Sequence, residues 1–218
     1  MQHDRDDDGY GTLATLDIET THWKAAEGET VSVGVAVHDR DADELVYEPF
    51  HRAGDDEAET IADALGYVDD CGADALVSYN GSDFDFGFLK DRLYRLGADN
   101  AVDELTLEPH IDVFADRKAV CDRTGEKWPK LEECLASYDF EEPVTEWNGA
   151  PVTNTRFGEE LGPAYLEAIA VGDGDRAASL RDVIDHYLVT DLEANLAIYY
   201  ADCGVEFEPQ FLGTRKAF

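Results

Sequence analysis

Two carboxylates set two residues apart, Asp17 and Glu19, close an otherwise apolar stretch, TLATLDIET, at residues 12–20. In an extended chain residues i and i+2 point to the same side. Like charges held on one side of a core strand repel and lose hydration. A cation between them removes both penalties, and a hard divalent ion with oxygen ligands, Mg²⁺ above all, suits such a pair. The alternative is a strand that surfaces at Asp17, with both acids solvated. Three further stretches carry residues able to do chemistry. In residues 78–89, SYNGSDFDFGFL, Asp83 and Asp85 sit near a helix start, where capping is the ordinary role of an aspartate. In residues 186–191, HYLVTD, Tyr187 and Asp191 are four apart and share a helical face. That face is apolar, and an aspartate on it needs a partner. His110 and Asp112 sit on a short strand able to lie beside the first; a solvated strand end is the more ordinary role there than a ligand.

The elements that must position these residues follow from periodicity. Leu13, Thr15 and Asp17 fall on one face of the first strand, and Ala14, Leu16 and Ile18 on the other. Residues 31–37, VSVGVAV, put four valines on one face and Ser32, Gly34 and Ala36 on the other, small enough for close packing by an element above. A polar turn at 39–43 leads into renewed alternation at 44–50, which predicts an antiparallel meander. Residues 55–71 take the helical period through Ile61, Leu65 and Val68. A short strand at 75–79, a helix through Phe86, Leu89 and Leu93, and a short strand at 110–114 follow. Pro129 can start a helix through Leu131, Leu135 and Tyr138. Residues 140–162, rich in Pro, Gly, Asn and Thr, read as a long irregular excursion. A short helix at 163–171 breaks at Gly172, and a long helix spans 179–200. Parallel crossovers after a meander predict an α/β fold, a five-stranded mixed sheet flanked by helices. A single domain is expected over 10–218, behind a disordered acidic tail at 1–9.

The 218 residues are ample for a sizeable core, and the hydrophobic fraction of 44% excludes a disordered chain. No apolar run approaches the ~20 residues that span a bilayer. The first residues show no secretory signal, so a cytoplasmic protein with no membrane partner is expected. Cys71, Cys121, Cys134 and Cys203 form no CxxC pair, which argues against a zinc knuckle. Charge is the outlier, with 50 acidic against 17 basic residues, a net −33, spread along the whole chain. Lysine occurs only six times. The expected habitat is a salt-rich, halophilic cytoplasm, where the Debye length falls to ~3 Å at 1 M and self-repulsion is screened. An acidic protein that mimics DNA is the competing reading.

LDIET, YNGSDFDFGFL and YLVTD, in that order, resemble the three motifs of the DEDD 3′–5′ exonucleases, most closely the exonuclease domain of family B DNA polymerases and its stand-alone relatives. The resemblance implies a ribonuclease H-like fold. It implies that Asp17, Glu19, Asp85 and Asp191 are the metal ligands of two Mg²⁺ or Mn²⁺ ions. It also implies that Asn80 and Phe84 face the substrate strand, and that the backbone at Thr20 meets the terminal nucleotide. The implied activity is hydrolysis of the last phosphodiester at the 3′ end of single-stranded DNA or RNA, releasing nucleoside monophosphates. Repair or replication proteins are implied as partners, though no residue identifies them. Phe86-Gly87 stands where a proline often follows the second-motif aspartate, which bears on the helix start rather than on the ligand. The final motif satisfies both family types, YxxxD through Tyr187 and HxxxxD through His186. At ~100° per residue Tyr187 lies ~40° from Asp191 and His186 ~140° away, which favours the tyrosine type. A catalytically silent nucleic-acid-binding module of the same fold is the alternative, and neither DNA nor RNA is singled out.

Overall fold

The computed structural model describes residues 1–98 and 106–218. Three strands open the chain: β1 (Thr12–Thr20), β2 (Thr30–Asp39) and β3 (Glu44–His51). They pair antiparallel as the alternation predicts, with Asp17 opposite Gly34 and Glu19 opposite Ser32. Next come α1 (Glu57–Asp70), β4 (Ala75–Ser78), α2 (Asp85–Arg95) and β5 (His110–Asp112). β4 pairs parallel with β1, and β5 parallel with β4, so the sheet order is β3-β2-β1-β4-β5. β5 therefore lies beside β4 rather than beside β1. Both edges of β1 are already taken by β2 and β4.

The strand expected at 110–114 is cut short. The Asp112 side chain accepts from the Phe114 backbone N–H and caps a helix, α3 (Val113–Thr124), that sequence periodicity does not reveal. α4 (Leu131–Ser137) follows at the expected place. The excursion is structured rather than irregular. It holds β6 (Val144–Trp147), β7 (Ala150–Pro151), the short α5 (Asn154–Arg156) and a π-helical turn at Phe157–Leu161. α6 (Gly162–Val171), the long α7 (Gly174–Asp202) and β8 (Arg215–Ala217) complete the chain. β8 returns to pair parallel with β6, making a small second sheet, β7-β6-β8.

The period-two pattern of β1 assigns the layers. Ala14, Leu16 and Ile18 pack with Ile61, Leu65, Phe88 and Leu89 of α1 and α2. Leu13 packs on the opposite face with Leu196, Tyr199 and Tyr200 of α7, and Asn195 of that helix donates to the Thr15 hydroxyl at 3.2 Å. Gly34 is where α7 comes closest, since a Cβ there would lie 2.9 Å from Leu192 Cδ1 and 3.3 Å from Leu188 Cδ2. The N-terminal residues 1–9 form no helix or strand and stay largely exposed, but contacts tie them to the body. Arg117 Nε donates to the Met1 carbonyl at 2.9 Å, the Arg5 backbone N–H to the Asp202 carbonyl at 2.9 Å, and the Arg5 guanidinium pairs with Asp116. Among the described residues no helix is long and apolar enough to cross a membrane.

Candidate active site

The outward face of β1 turns polar at its C-terminal end, and α7 covers that end. The small Ser32–Gly34–Ala36 face of β2 lets α7 settle close, and Asp191, one residue before Leu192, is carried down onto β1. Carboxylate oxygens of Asp17, Glu19 and Asp191 lie within 4.8 Å of one another. Among the described residues no other set of three or more His, Cys, Asp or Glu side chains converges in this way.

The electrostatic cost shows in the carboxyls themselves. Burial pushes Asp17 up to about 7. Glu19 is held well above the usual range, first by burial, then by the charges of Asp17, Asp191 and Asp85. Asp191 is raised by burial and by Asp17. Among the described residues no Lys, Arg or His forms an ion pair with these three carboxyls, and the leading influences on them are burial and other acids. Three converging carboxylates that lack a cation form a hard oxygen donor set, and that set fits Mg²⁺ or Mn²⁺.

Asp85 stands apart from the cluster of three but shares its field: burial, then Asp17, then Asp112 raise its carboxyl. It is the first residue of α2 and is itself buried. Neither Asp83 nor Asp85 caps that helix through its side chain; Asp83 pairs instead with Lys118 at 2.6 Å. The loop before α2 is bound by Asp112, which accepts from the backbone N–H groups of Asn80 (2.8 Å) and Ser82 (3.1 Å). Asp112 is thus neither a solvated strand end nor one of the converging carboxylates. Asn80 takes a left-handed φ of 67°. A Cβ at Gly81 would sit 2.5 Å from Ser78 Oγ and 3.3 Å from Asp85 Oδ2, so the Asn-Gly pair shapes the turn that delivers Asp85.

Because β1 and β4 run parallel, Thr20 and the Asn80–Phe84 loop emerge at the same end of the sheet as the carboxylates. The Thr20 hydroxyl donates to the His22 carbonyl at 3.1 Å. The Phe84 ring is half-buried and lies tilted on Phe88, with centroids 6.1 Å apart.

The two residues of the ambiguous final motif part company. His186 is buried, and its Nδ1 is 2.7 Å from the Thr145 hydroxyl of β6. The rings of Phe211 and Phe218 meet it edge-on. Tyr187 lies within the field of the carboxylates: after burial, the charges of Asp191, Glu19 and Asp17 hold its hydroxyl well above the usual tyrosine range. Its hydroxyl donates to Asn154 Oδ1 at 2.6 Å, and its ring stacks on Phe157 at 5.9 Å and 17°. Asn154 is the residue that sequence reasoning missed. It lies 33 positions from Tyr187, in a segment without periodicity, and no local signal marks it.

A mixed sheet with acids at the end of its central strand, covered by a helix that brings another, defines a ribonuclease H-like α/β fold. The chain belongs to the RNase_H superfamily: the family model RNase_H_2 matches residues 14–169. That span includes Asp17, Glu19 and Asp85 and ends before Tyr187 and Asp191. Among solved structures the chain is similar to the family B DNA polymerase from the hyperthermophilic archaeon Pyrobaculum calidifontis, with a TM-score of 0.59 and 17% identity over 87% of this chain and 24% of that one. At this identity the likeness is one of fold, and the chain spans less than a quarter of that polymerase. No curated protein matches the chain.

Proposed function

We propose that the protein is a metal-dependent 3′–5′ exonuclease that removes terminal nucleotides from single-stranded DNA or RNA as monophosphates. The observation that supports this most is the convergence of Asp17, Glu19 and Asp191 within 4.8 Å, with no Lys, Arg or His paired to them among the described residues. Together with Asp85 they would hold two Mg²⁺ or Mn²⁺ ions, which when bound supply Lewis-acid activation of water and charge stabilisation at the leaving oxygen. The bare carboxylates repel a phosphodiester, so substrate affinity depends on that loading. The Thr20 backbone, the Asn80 side chain and the Phe84 ring position the 3′ end, with the ring offering a stacking surface. Tyr187 keeps its proton at neutral pH, so its hydroxyl orients the attacking water rather than acting as the base. The same reading makes the −33 charge an adaptation to molar salt.

The test is degradation of 5′-end-labelled DNA and RNA, single- and double-stranded, in molar KCl with Mn²⁺ or Mg²⁺. Stepwise shortening from the 3′ end, abolished by EDTA, is the expected result. Internal cuts, or intact strands under every condition, would refute it.

A further inference from the structure

The excursion at 140–162 is built as a bracket around one helical turn of α7. On one side, Thr145 of β6 holds His186. On the other, Asn154 of α5 holds Tyr187. The bracket is itself braced. Arg156 Nη1 donates to the carbonyls of Trp147 (2.8 Å), Ala150 (2.6 Å) and Pro151 (3.3 Å), and its guanidinium lies 5.2 Å from the centre of the Trp147 ring. The Val152 backbone N–H donates to the Thr145 carbonyl at 2.8 Å. The π-helical turn brings Phe157 under the Tyr187 ring and Gly158 against the strand end that carries Glu19. A Cβ at Gly158 would come within 2.9 Å of the Thr21 carbonyl oxygen. π-helical turns of this kind recur at functional sites.

We infer that Asn154 is a positioning residue for Tyr187, fixing the direction in which the phenol gives its single proton. The inference rests on the exonuclease reading above. A tyrosine hydroxyl has one hydrogen and two acceptor lone pairs. Donating that hydrogen to Asn154 Oδ1 leaves only lone pairs for the carboxylate side. A water at that side donates a hydrogen to Tyr187 and keeps its own lone pair for the phosphorus. Without Asn154 the hydroxyl is free to rotate and turn its hydrogen toward the carboxylate side. The water would then lose its acceptor. Asn154 is solvent-exposed, so the core does not require it.

The experiment uses the full chain with Asn154→Leu, Asn154→Asp, Tyr187→Phe and the Asn154→Leu/Tyr187→Phe double variant. Two readouts are taken: kcat and KM on an end-labelled single strand with Mn²⁺, and urea unfolding midpoints in EDTA. Asn154→Leu is expected to lower kcat by about 10–100-fold, the usual cost of losing an orienting partner, with KM unchanged. Asn154→Asp keeps the acceptor and recovers most of the loss. Asn154→Leu adds nothing in the Tyr187→Phe background, and the EDTA midpoints of the two single variants are non-additive. Wild-type kcat in Asn154→Leu, no recovery in Asn154→Asp, or additive effects in both readouts would each overturn the inference. If the wild type degrades no substrate, the exonuclease reading falls instead. The EDTA midpoints then decide the tyrosine–asparagine bond without it.

Discussion

Asp17, Glu19, Asp85 and Asp191 all have carboxyls raised by burial, Asp17 to about 7 from an ordinary value of 3.8. The metal-free folded chain therefore binds protons that the unfolded chain releases. Their stabilising contribution is full below the ordinary carboxylate range and is lost as pH rises through the folded value. In EDTA the melting temperature should fall between pH 5 and pH 8. At this size each kcal/mol moves it by about 2–4 °C, so a drop of several degrees is expected. Mn²⁺ should restore more at pH 8 than at pH 5, and Asp17→Asn should flatten the slope; melts followed by circular dichroism check both. His186 and Tyr187 invite a second comparison. His186→Ala removes a buried hydrogen bond to Thr145 and should cost about 1–3 kcal/mol of stability with milder loss of turnover. Tyr187→Phe should lower kcat while the ring still packs on Phe157. A dead His186→Ala beside a near-wild-type Tyr187→Phe would place the chain with the histidine type.

Gly34 couples two elements to the site. Its missing side chain lets Leu192 of α7 approach β2 directly across from Asp17, which sets the height at which Asp191 meets the strand. Gly34→Ala meets the flexible side-chain ends of Leu192 and Leu188 and should be mild. Gly34→Val should overpack the contact, cost about 1–3 kcal/mol and weaken the rise in melting temperature on adding Mn²⁺. The small face of VSVGVAV was legible in the sequence as a place for close packing, and the strand–helix order was legible from its change of period. The carboxylates were legible because strand alternation puts Asp17 and Glu19 on one side, and helical phase puts Tyr187, rather than His186, near Asp191. The small sheet was not. β6, β7 and β8 are too short to alternate, and Val144 pairs with Arg215 far along the chain. α3 was hidden by the apolar run of β5 continuing through Val113 and Phe114, where only the Asp112 cap turns strand into helix.

The whole molecule carries −33 charges and yet, on this reading, binds a polyanion. Most basic side chains are already spent in ion pairs with acids, such as Arg92 with Glu57 and the buried Arg117 with Asp202. Little cationic surface is left to draw in phosphate, so on this reading screening by salt and metal ions held at the acidic centre must do it. Stability should follow the same rule: the melting temperature should climb steadily from low to molar KCl, and a flat curve would contradict the salt adaptation and revive an acidic mimic of DNA. The central claim is that the acids converging beneath α7 hold the metal that drives exonucleolysis. It is met most directly by one time course, 5′-end-labelled single-stranded DNA with Mn²⁺ in molar KCl, wild type beside a folded Asp17→Ala. Stepwise 3′ shortening by the wild type and none by Asp17→Ala is the predicted result. Strong residual shortening by Asp17→Ala would contradict the account.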